Sequence, residues 1–206
     1  MKSILRGENM YKFIVRIIRF IIFIINGRVE TQNKHLIKEE GNYILVAPHR
    51  SLVDPVPIAL AGFPEEYSFM IKEELVENKL FNWLFNKLDF VPVDRENPGP
   101  SALKGPVRIL KEGEKSFMLF PTGSRHSTEI KSGAVIIARL SKKNIVPVVY
   151  DGPLTFKGLF TRQKMIVRFG SPIKIDSKKN KELEKEYNQA IEDSFIRLQN
   201  EIDASK

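Results

Sequence analysis

The chain alternates short apolar runs with longer segments in which apolar residues recur at helical spacing. The short runs predict strands over residues 43–47, 67–71, 90–93, 116–120, 145–150 and 165–169. The longer segments predict helices over residues 10–25, 55–61, 72–88, 101–111, 132–142 and from residue 180 onward. Strands that alternate with helices indicate an α/β fold: a single domain with a central, mostly parallel or mixed sheet flanked by helices.

Three regions depart from this alternation. Residues 28–42 are polar and predict a connection or a weak strand, and residues 154–164 predict a loop. Pro147 lies inside a predicted strand and marks it as an edge strand or as one with a bulge.

Residues 10–25 form the most hydrophobic segment of the chain. Lys12, Arg16 and Arg19 fall on one narrow stripe of a helix, and Ile and Phe cover the other faces. Its uncharged run covers only residues 20–25, whereas a spanning helix needs about 20 apolar residues. We therefore predict an interfacial amphipathic helix, with residues 1–27 as a membrane-associating segment and residues 28–206 as a catalytic domain. The alternative is a helix packed on the protein's own core.

The charge balance indicates an acidic partner. The chain of 206 residues has a formal net charge of +8, which attracts phospholipid headgroups, phosphorylated substrates, an acidic carrier protein or nucleic acid. Its basic residues do not match a nucleic-acid recognition module, so we expect no nucleic-acid partner. The chain has no Cys, which excludes disulfides and thiolate metal sites. Its three His residues are scattered, so we expect no metal centre.

Candidate chemistry begins with His49 and Asp54, which flank a four-residue loop between a predicted strand and a predicted helix. Asp54 precedes Pro55, an order typical of a helix N-cap followed by the first helical position. The spacing lets the carboxylate fold back onto the imidazole. A carboxylate on one ring nitrogen fixes the tautomer and leaves the other nitrogen free to accept a proton.

No protein nucleophile accompanies this pair, because the chain has neither Cys nor a Gly-x-Ser-x-Gly elbow. A substrate hydroxyl is therefore the candidate third member, which suits acyl transfer to an alcohol. The alternative is a loop histidine that merely bonds to a helix cap.

Two other predicted strands also end in polar residues. Asp94 and Arg95 follow one of them, and Gly123, Ser124 and Arg125 follow another. Arg125 is suited to bidentate phosphate binding, and Lys131 at the start of the next helix adds a donor for the same anion. In open α/β sheets such strand ends gather into one site.

Four ordered blocks resemble those of the glycerolipid acyltransferases, most closely the bacterial 1-acyl-glycerol-3-phosphate (lysophosphatidic acid) acyltransferases. The blocks are the His-x4-Asp of residues 49–54, Phe-Val-Pro-Val-Asp-Arg at 90–95, Phe-Pro-Thr-Gly-Ser-Arg at 120–125 and Ile-Val-Pro-Val at 145–148. The resemblance covers residues 43–150, and the combination is specific although each block is short.

The resemblance implies transfer of a fatty acyl group from acyl carrier protein or coenzyme A to lysophosphatidic acid, which yields phosphatidic acid. It makes His49 the general base and Asp54 its orienting group, without a metal or cofactor. Residues that it implies on the substrate and phosphate side are Asp94, Arg95, Thr122, Gly123, Ser124, Arg125 and Lys131. It also implies an enzyme at an anionic membrane surface, peripheral or monotopic on the cytoplasmic face.

Two positions differ from the usual family pattern. Pro48 stands where an Asn usually precedes the His, and Thr122 stands where a Glu usually separates the Pro and Gly. Thr122 leaves open a different lysolipid or an amino-lipid as acceptor. A non-catalytic lipid-binding protein on the same fold is a further alternative, against which His49 and Asp54 argue.

Overall fold

The computed structural model describes residues 2–37, 40–94, 97–121 and 132–206, and within these ranges seven strands alternate with six α-helices. The strands are β1 (Val29–Gln32), β2 (Ile44–Val46), β3 (Tyr67–Lys72), β4 (Val91–Val93), β5 (Ser116–Leu119), β6 (Ile145–Asp151) and β7 (Met165–Phe169). The helices are α1 (Lys2–Ile25), α2 (Pro55–Gly62), α3 (Lys79–Lys87), α4 (Ser101–Glu112), α5 (Gly133–Ser141) and α6 (Lys181–Asp203). Short 3-10 helices cover Lys34–Ile37, Glu73–Val76 and Gly158–Thr161.

The strands form one mixed sheet in the order β1-β7-β6-β2-β5-β3-β4. Strands β2 to β6 are mutually parallel, whereas β7 pairs antiparallel with β6 and parallel with β1. The predicted class, an α/β domain with a mixed central sheet, is therefore confirmed.

Alternate residues of the central strands feed two separate layers. Leu45 and Ala47 face a core shared with α1 and α2, whereas Ile44 and Val46 face a core shared with α4, α5 and α6. Every residue of β2 and β5 is buried, as expected for parallel strands that are covered on both faces. The carboxyl ends of β2, β5 and β6 therefore meet at one edge of a rigid sheet.

Helix α1 packs only one of its faces on the protein. Tyr11, Val15 and Ile22 are buried in the first core, so the core-packing alternative holds for this face. The opposite face, which includes Phe13, Ile17 and Ile21, is exposed. Across the described ranges, no helix combines the length and the apolar character that crossing a bilayer demands.

One helix differs from the sequence prediction. The single helix predicted over residues 72–88 is wrong, because Asn78 interrupts it and caps α3 by accepting hydrogen bonds from the amides of Leu80 at 2.9 Å and Phe81 at 3.3 Å. In the polar segment after α1 the weak-strand alternative is confirmed, because the segment contains β1, which pairs with β7.

The edge position suggested for the strand with Pro147 is also wrong, since β6 lies between β7 and β2. The bulge alternative fits better. From the Ile145–Ile173 bridge to the Val148–Phe169 pair, β6 advances three residues (148 − 145) and its partner four (173 − 169). The ladder is thus interrupted where Pro147 has no N–H to donate.

Candidate active site

The loop between β2 and α2 brings His49 and Asp54 together. Buried β2 delivers the chain to Pro48, and Pro55 opens α2 as its first residue. His49 Nδ1 lies 3.4 Å from Asp54 Oδ2, and the two side chains are 8% and 2% exposed. The predicted pairing of imidazole and carboxylate is thus present in the structure, and it leaves Nε2 as the ring nitrogen available to a substrate.

Backbone amides hold the carboxylate in place. Asp54 Oδ2 accepts hydrogen bonds from the amide of Arg50 at 2.7 Å and from the amide of Ser51 at 2.6 Å. The Ser51 hydroxyl in turn accepts from the amide of Val53 at 2.8 Å, which fixes the loop. The two amide donors therefore hold the Asp54 carboxylate in place beside the imidazole.

The predicted N-cap role of Asp54 is only half right. Asp54 does precede the first residue of α2, but its side chain makes no capping bond and its backbone is itself helical, with φ −46° and ψ −45°. The carboxylate turns back to the loop because two amides and the imidazole lie there. Its Oδ1 is buried and has no hydrogen-bond partner among the residues that the structure describes.

The ends of β5 and β6 flank the pair. The ring of Phe120 lies against His49, with 4.4 Å between ring centroids, and restricts the movement of the imidazole. On the other side the Arg50 guanidinium donates to the backbone carbonyl of Tyr150. Burial, with the negative charge of Asp54 as a second cause, raises the pKa of Tyr150, so its hydroxyl stays protonated and donates to the carbonyl of Pro153 at 3.0 Å.

Asp94 lies at the same edge but at a distance. Following the pairing from β2 through β5 and β3 to β4 sets Val46 level with Val91, so β2 and β4 end at the same edge of the sheet. Three strand spacings separate β2 from β4, which is roughly 14 Å. Asp94 Oδ1 accepts from the amide of Asn97 at 3.1 Å. The structure therefore does not bring Asp94 onto His49, and only a substrate that extends along the edge reaches both.

The remaining predicted site residues lie outside the described ranges. They are Arg95, Thr122, Gly123, Ser124, Arg125 and Lys131. The chain leaves β5 toward them at Phe120 and Pro121, beside the imidazole. In the described ranges, no group of three or more His, Asp or Glu side chains is placed to hold a metal ion.

Sequence reasoning missed four residues that shape the site: Arg50, Ser51, Phe120 and Tyr150. The first two had a signal, because a buried carboxylate requires nearby donors and the loop amides are the nearest ones. Phe120 and Tyr150 had none, since their proximity to His49 depends on the strand order β5-β2-β6.

Comparisons with known proteins agree with this geometry. The family model described as Acyltransferase matches residues 28–151, a range that includes the predicted resemblance over 43–150. A 1-acyl-sn-glycerol-3-phosphate acyltransferase of Streptococcus pneumoniae is 40% identical over 203 residues, which cover 98% of this chain and 75% of that protein. A Bacillus subtilis protein of the same name is 37% identical over 166 residues, with coverage of 80% and 82%.

A solved structure has the same fold. The crystal structure of the 1-acyl-sn-glycerophosphate (LPA) acyltransferase PlsC from Thermotoga maritima aligns with a TM-score of 0.71 at 22% identity. The alignment covers 96% of this chain and 86% of that one, so the likeness includes the whole sheet and its helices.

Proposed function

This chain belongs to the acyltransferase family, and from that premise we propose that it transfers a fatty acyl group to the free hydroxyl of lysophosphatidic acid, which gives phosphatidic acid. The observation that carries the proposal is the buried His49–Asp54 pair, in which the carboxylate is fixed by two backbone amides. The names of the Streptococcus and Bacillus relatives support the choice of acceptor.

The pair supports a direct transfer. His49 Nε2 accepts the proton of the lipid hydroxyl as its oxygen bonds to the thioester carbonyl carbon, and Asp54 stabilises the resulting imidazolium. When the tetrahedral intermediate collapses, the C–S bond breaks and the imidazolium returns the proton to the departing thiolate. The carboxylate remains ionised throughout, and the enzyme forms no covalent intermediate.

The acyl donor is a thioester of acyl carrier protein or coenzyme A. Both present the same reactive carbonyl, so the His–Asp chemistry accepts either one, and recognition of the carrier must come from elsewhere on the surface. The net charge of +8 complements the acidic carrier protein as well as the phosphates of coenzyme A.

One assay tests the activity. The purified protein is incubated with lysophosphatidic acid and each thioester, and mass spectrometry follows the formation of phosphatidic acid. A panel of lysolipids and amino-lipids run in parallel tests whether Thr122 marks another acceptor. Failure with every acceptor and both donors would contradict catalysis and favour a lipid-binding protein on this fold.

The phosphate of the acceptor is recognised mainly by Arg95, Gly123 and Arg125. Further residues proposed on the substrate side are Asp94, Thr122, Ser124 and Lys131.

For Arg125→Ala we expect an unchanged donor KM and a KM for lysophosphatidic acid that rises roughly tenfold to a hundredfold. The reason is the loss of a hydrogen bond to a charged group, worth about 1.5–3 kcal/mol. Steady-state kinetics with each substrate varied in turn measure both constants. A rise confined to the donor KM would show that the phosphate role is misassigned.

We also propose that residues 1–27 associate with the membrane and that residues 28–206 form the catalytic domain at its cytoplasmic face. The outward face of α1 is apolar, whereas Arg16 and Arg19 lie on its flank. A helix of this kind lies in the plane of the interface with its apolar face in the acyl region. The 3-10 helix Gly158–Thr161, which carries the exposed Phe160, also contacts α1.

Replacing Ile17 and Ile21 together with Gln should weaken binding to phosphatidylcholine vesicles on the order of tenfold, measured by co-sedimentation. Full burial of one such side chain contributes about 1.5–3 kcal/mol, and these two are about half exposed, so each contributes a part of that. The matched control is Leu140→Gln with Ile196→Gln, two exposed apolar residues on α5 and α6 at the opposite face of the sheet. Equal losses in the two variants would argue against α1 as the membrane contact.

A further inference from the structure

A cavity of about 620 Å³ lies between α1, β1 and the C-terminal end of α2. Four basic side chains line it: Arg16 and Arg19 from α1, Arg28 before β1, and Lys34 after it. None of the described residues that line it is acidic, and the rest of its wall is largely apolar. The cavity therefore offers an anion a partly enclosed, positively charged site.

Lys34 and the arginines have different roles in the cavity. Lys34 donates to the carbonyl of Phe63, directly after α2, and so stabilises the end of that helix. Burial lowers the pKa of Lys34, the nearby Glu65 raises it, and Arg19 lowers it by a smaller amount. The guanidinium groups of Arg16, Arg19 and Arg28 stay charged under all ordinary conditions, so they supply permanent positive charge for a bound anion.

The position of the cavity indicates a lipid as the source of that anion. Phe20 and Phe23 both line it and are exposed, Phe20 by 63%, on the side where α1 presents its apolar face. The Arg28 guanidinium lies over the Phe23 ring, 5.6 Å from its centroid, which places a cation directly at the border of the apolar surface. A phospholipid whose phosphate binds among the arginines can therefore place its acyl chains along these two rings.

The cavity is separate from the reacting pair. Leu60 and Ala61, in the last turn of α2, line the cavity, whereas Asp54 directly precedes the first turn. The eight residues of α2 span roughly 12 Å. A headgroup in the cavity is thus held at the far end of the helix from His49.

We propose that this cavity binds the phosphate of an anionic bilayer phospholipid that is not the acyl acceptor, and so fixes α1 and α2 relative to the membrane surface. The inference rests on the membrane association in the proposed function but not on acyl transfer. Phosphodiester headgroups such as phosphatidylglycerol carry the required charge, and the two acyl chains of such a lipid keep it in the bilayer.

The test compares the binding of the full-length chain to two kinds of vesicle without substrates: phosphatidylcholine alone, and phosphatidylcholine with a minority of phosphatidylglycerol. The anionic lipid should tighten binding of the native protein. Replacing Arg19 and Arg28 together with Gln should reduce that binding on the order of a hundredfold, since each guanidinium loses a hydrogen bond to the charged phosphate that contributes about tenfold or more. Binding to phosphatidylcholine alone should change little.

The matched control is Lys157→Gln with Arg162→Gln, which removes the same two positive charges. These residues flank a segment that contacts α1, but neither of them lines the cavity. This control should lose clearly less binding than the cavity variant, with both retaining the native circular dichroism spectrum. Equal losses would show a diffuse charge effect and overturn the site, as would equal binding of the native protein to both vesicles. Displacement by inorganic phosphate at matched ionic strength would overturn the assignment to a lipid.

Discussion

Replacing His49 with Ala should lower kcat by about 10²–10⁴ or more, to the detection limit of the assay, while the protein stays folded. Among the residues that the structure describes, the imidazole is the group placed to take the proton of the lipid hydroxyl and to return it to the thiolate. Its removal leaves the fold intact because the Asp54 carboxylate keeps its bonds from the amides of Arg50 and Ser51. The measurement is phosphatidic acid formation at saturating substrate, with kcat and KM determined separately.

His35→Ala provides the matched control, since His35 is an exposed histidine of the 3-10 helix Lys34–Ile37. It should leave kcat unchanged, which ties any loss in the first variant to position 49. Circular dichroism and urea unfolding establish that both variants are folded. A folded His49→Ala protein that turned over at near-native rate would remove the proposed general base.

The sequence predicted the part of the site that is local. The apolar run of β2, the loop and the Asp54-Pro55 start of α2 all lie within residues 43–62, so spacing alone placed His49 and Asp54 at neighbouring ends of two elements. The α/β alternation also predicted that the polar strand ends gather at one edge, and the register places the ends of β2 and β4 at the same edge of the sheet.

The features that the sequence left open or missed depend on long-range pairing. The polar segment of β1 was predicted as a connection or a weak strand, and its pairing with β7, 136 residues later (165 − 29), decides between the two. The contact between Arg50 and the Tyr150 carbonyl likewise requires β6 to lie next to β2. A single chain read in order carries no signal for such neighbours.

Local competition explains the other differences. Asn78 favoured capping α3 over continuing a helix, because its carbonyl oxygen satisfies two amides that a continuous helix would have used otherwise. At Asp54 the opposite happens: the carboxylate accepts from the loop amides and contacts the imidazole, and it does not cap the start of α2. The sequence placed both residues correctly but did not determine which donors they serve.

Replacing Asp54 with Asn should separate the contribution of this carboxylate to catalysis from its contribution to stability. We expect kcat to fall by about 10²–10⁴, since a neutral amide does not stabilise the imidazolium that forms at His49. The free energy of unfolding should change much less, because the Asn carbonyl still accepts from the amides of Arg50 and Ser51. Kinetics and urea unfolding on the same preparation give the two quantities.

Asp54→Ala should lose activity and stability together. It leaves the buried amide of Ser51 without its acceptor, which costs about 1–3 kcal/mol. The amide of Arg50 also loses its acceptor, but this costs less because that amide is more exposed. The matched control for charge is Asp193→Asn on exposed α6, which should keep both quantities. If the Asn variant kept kcat within a factor of a few while remaining folded, the negative charge would be dispensable and His49 would act without it.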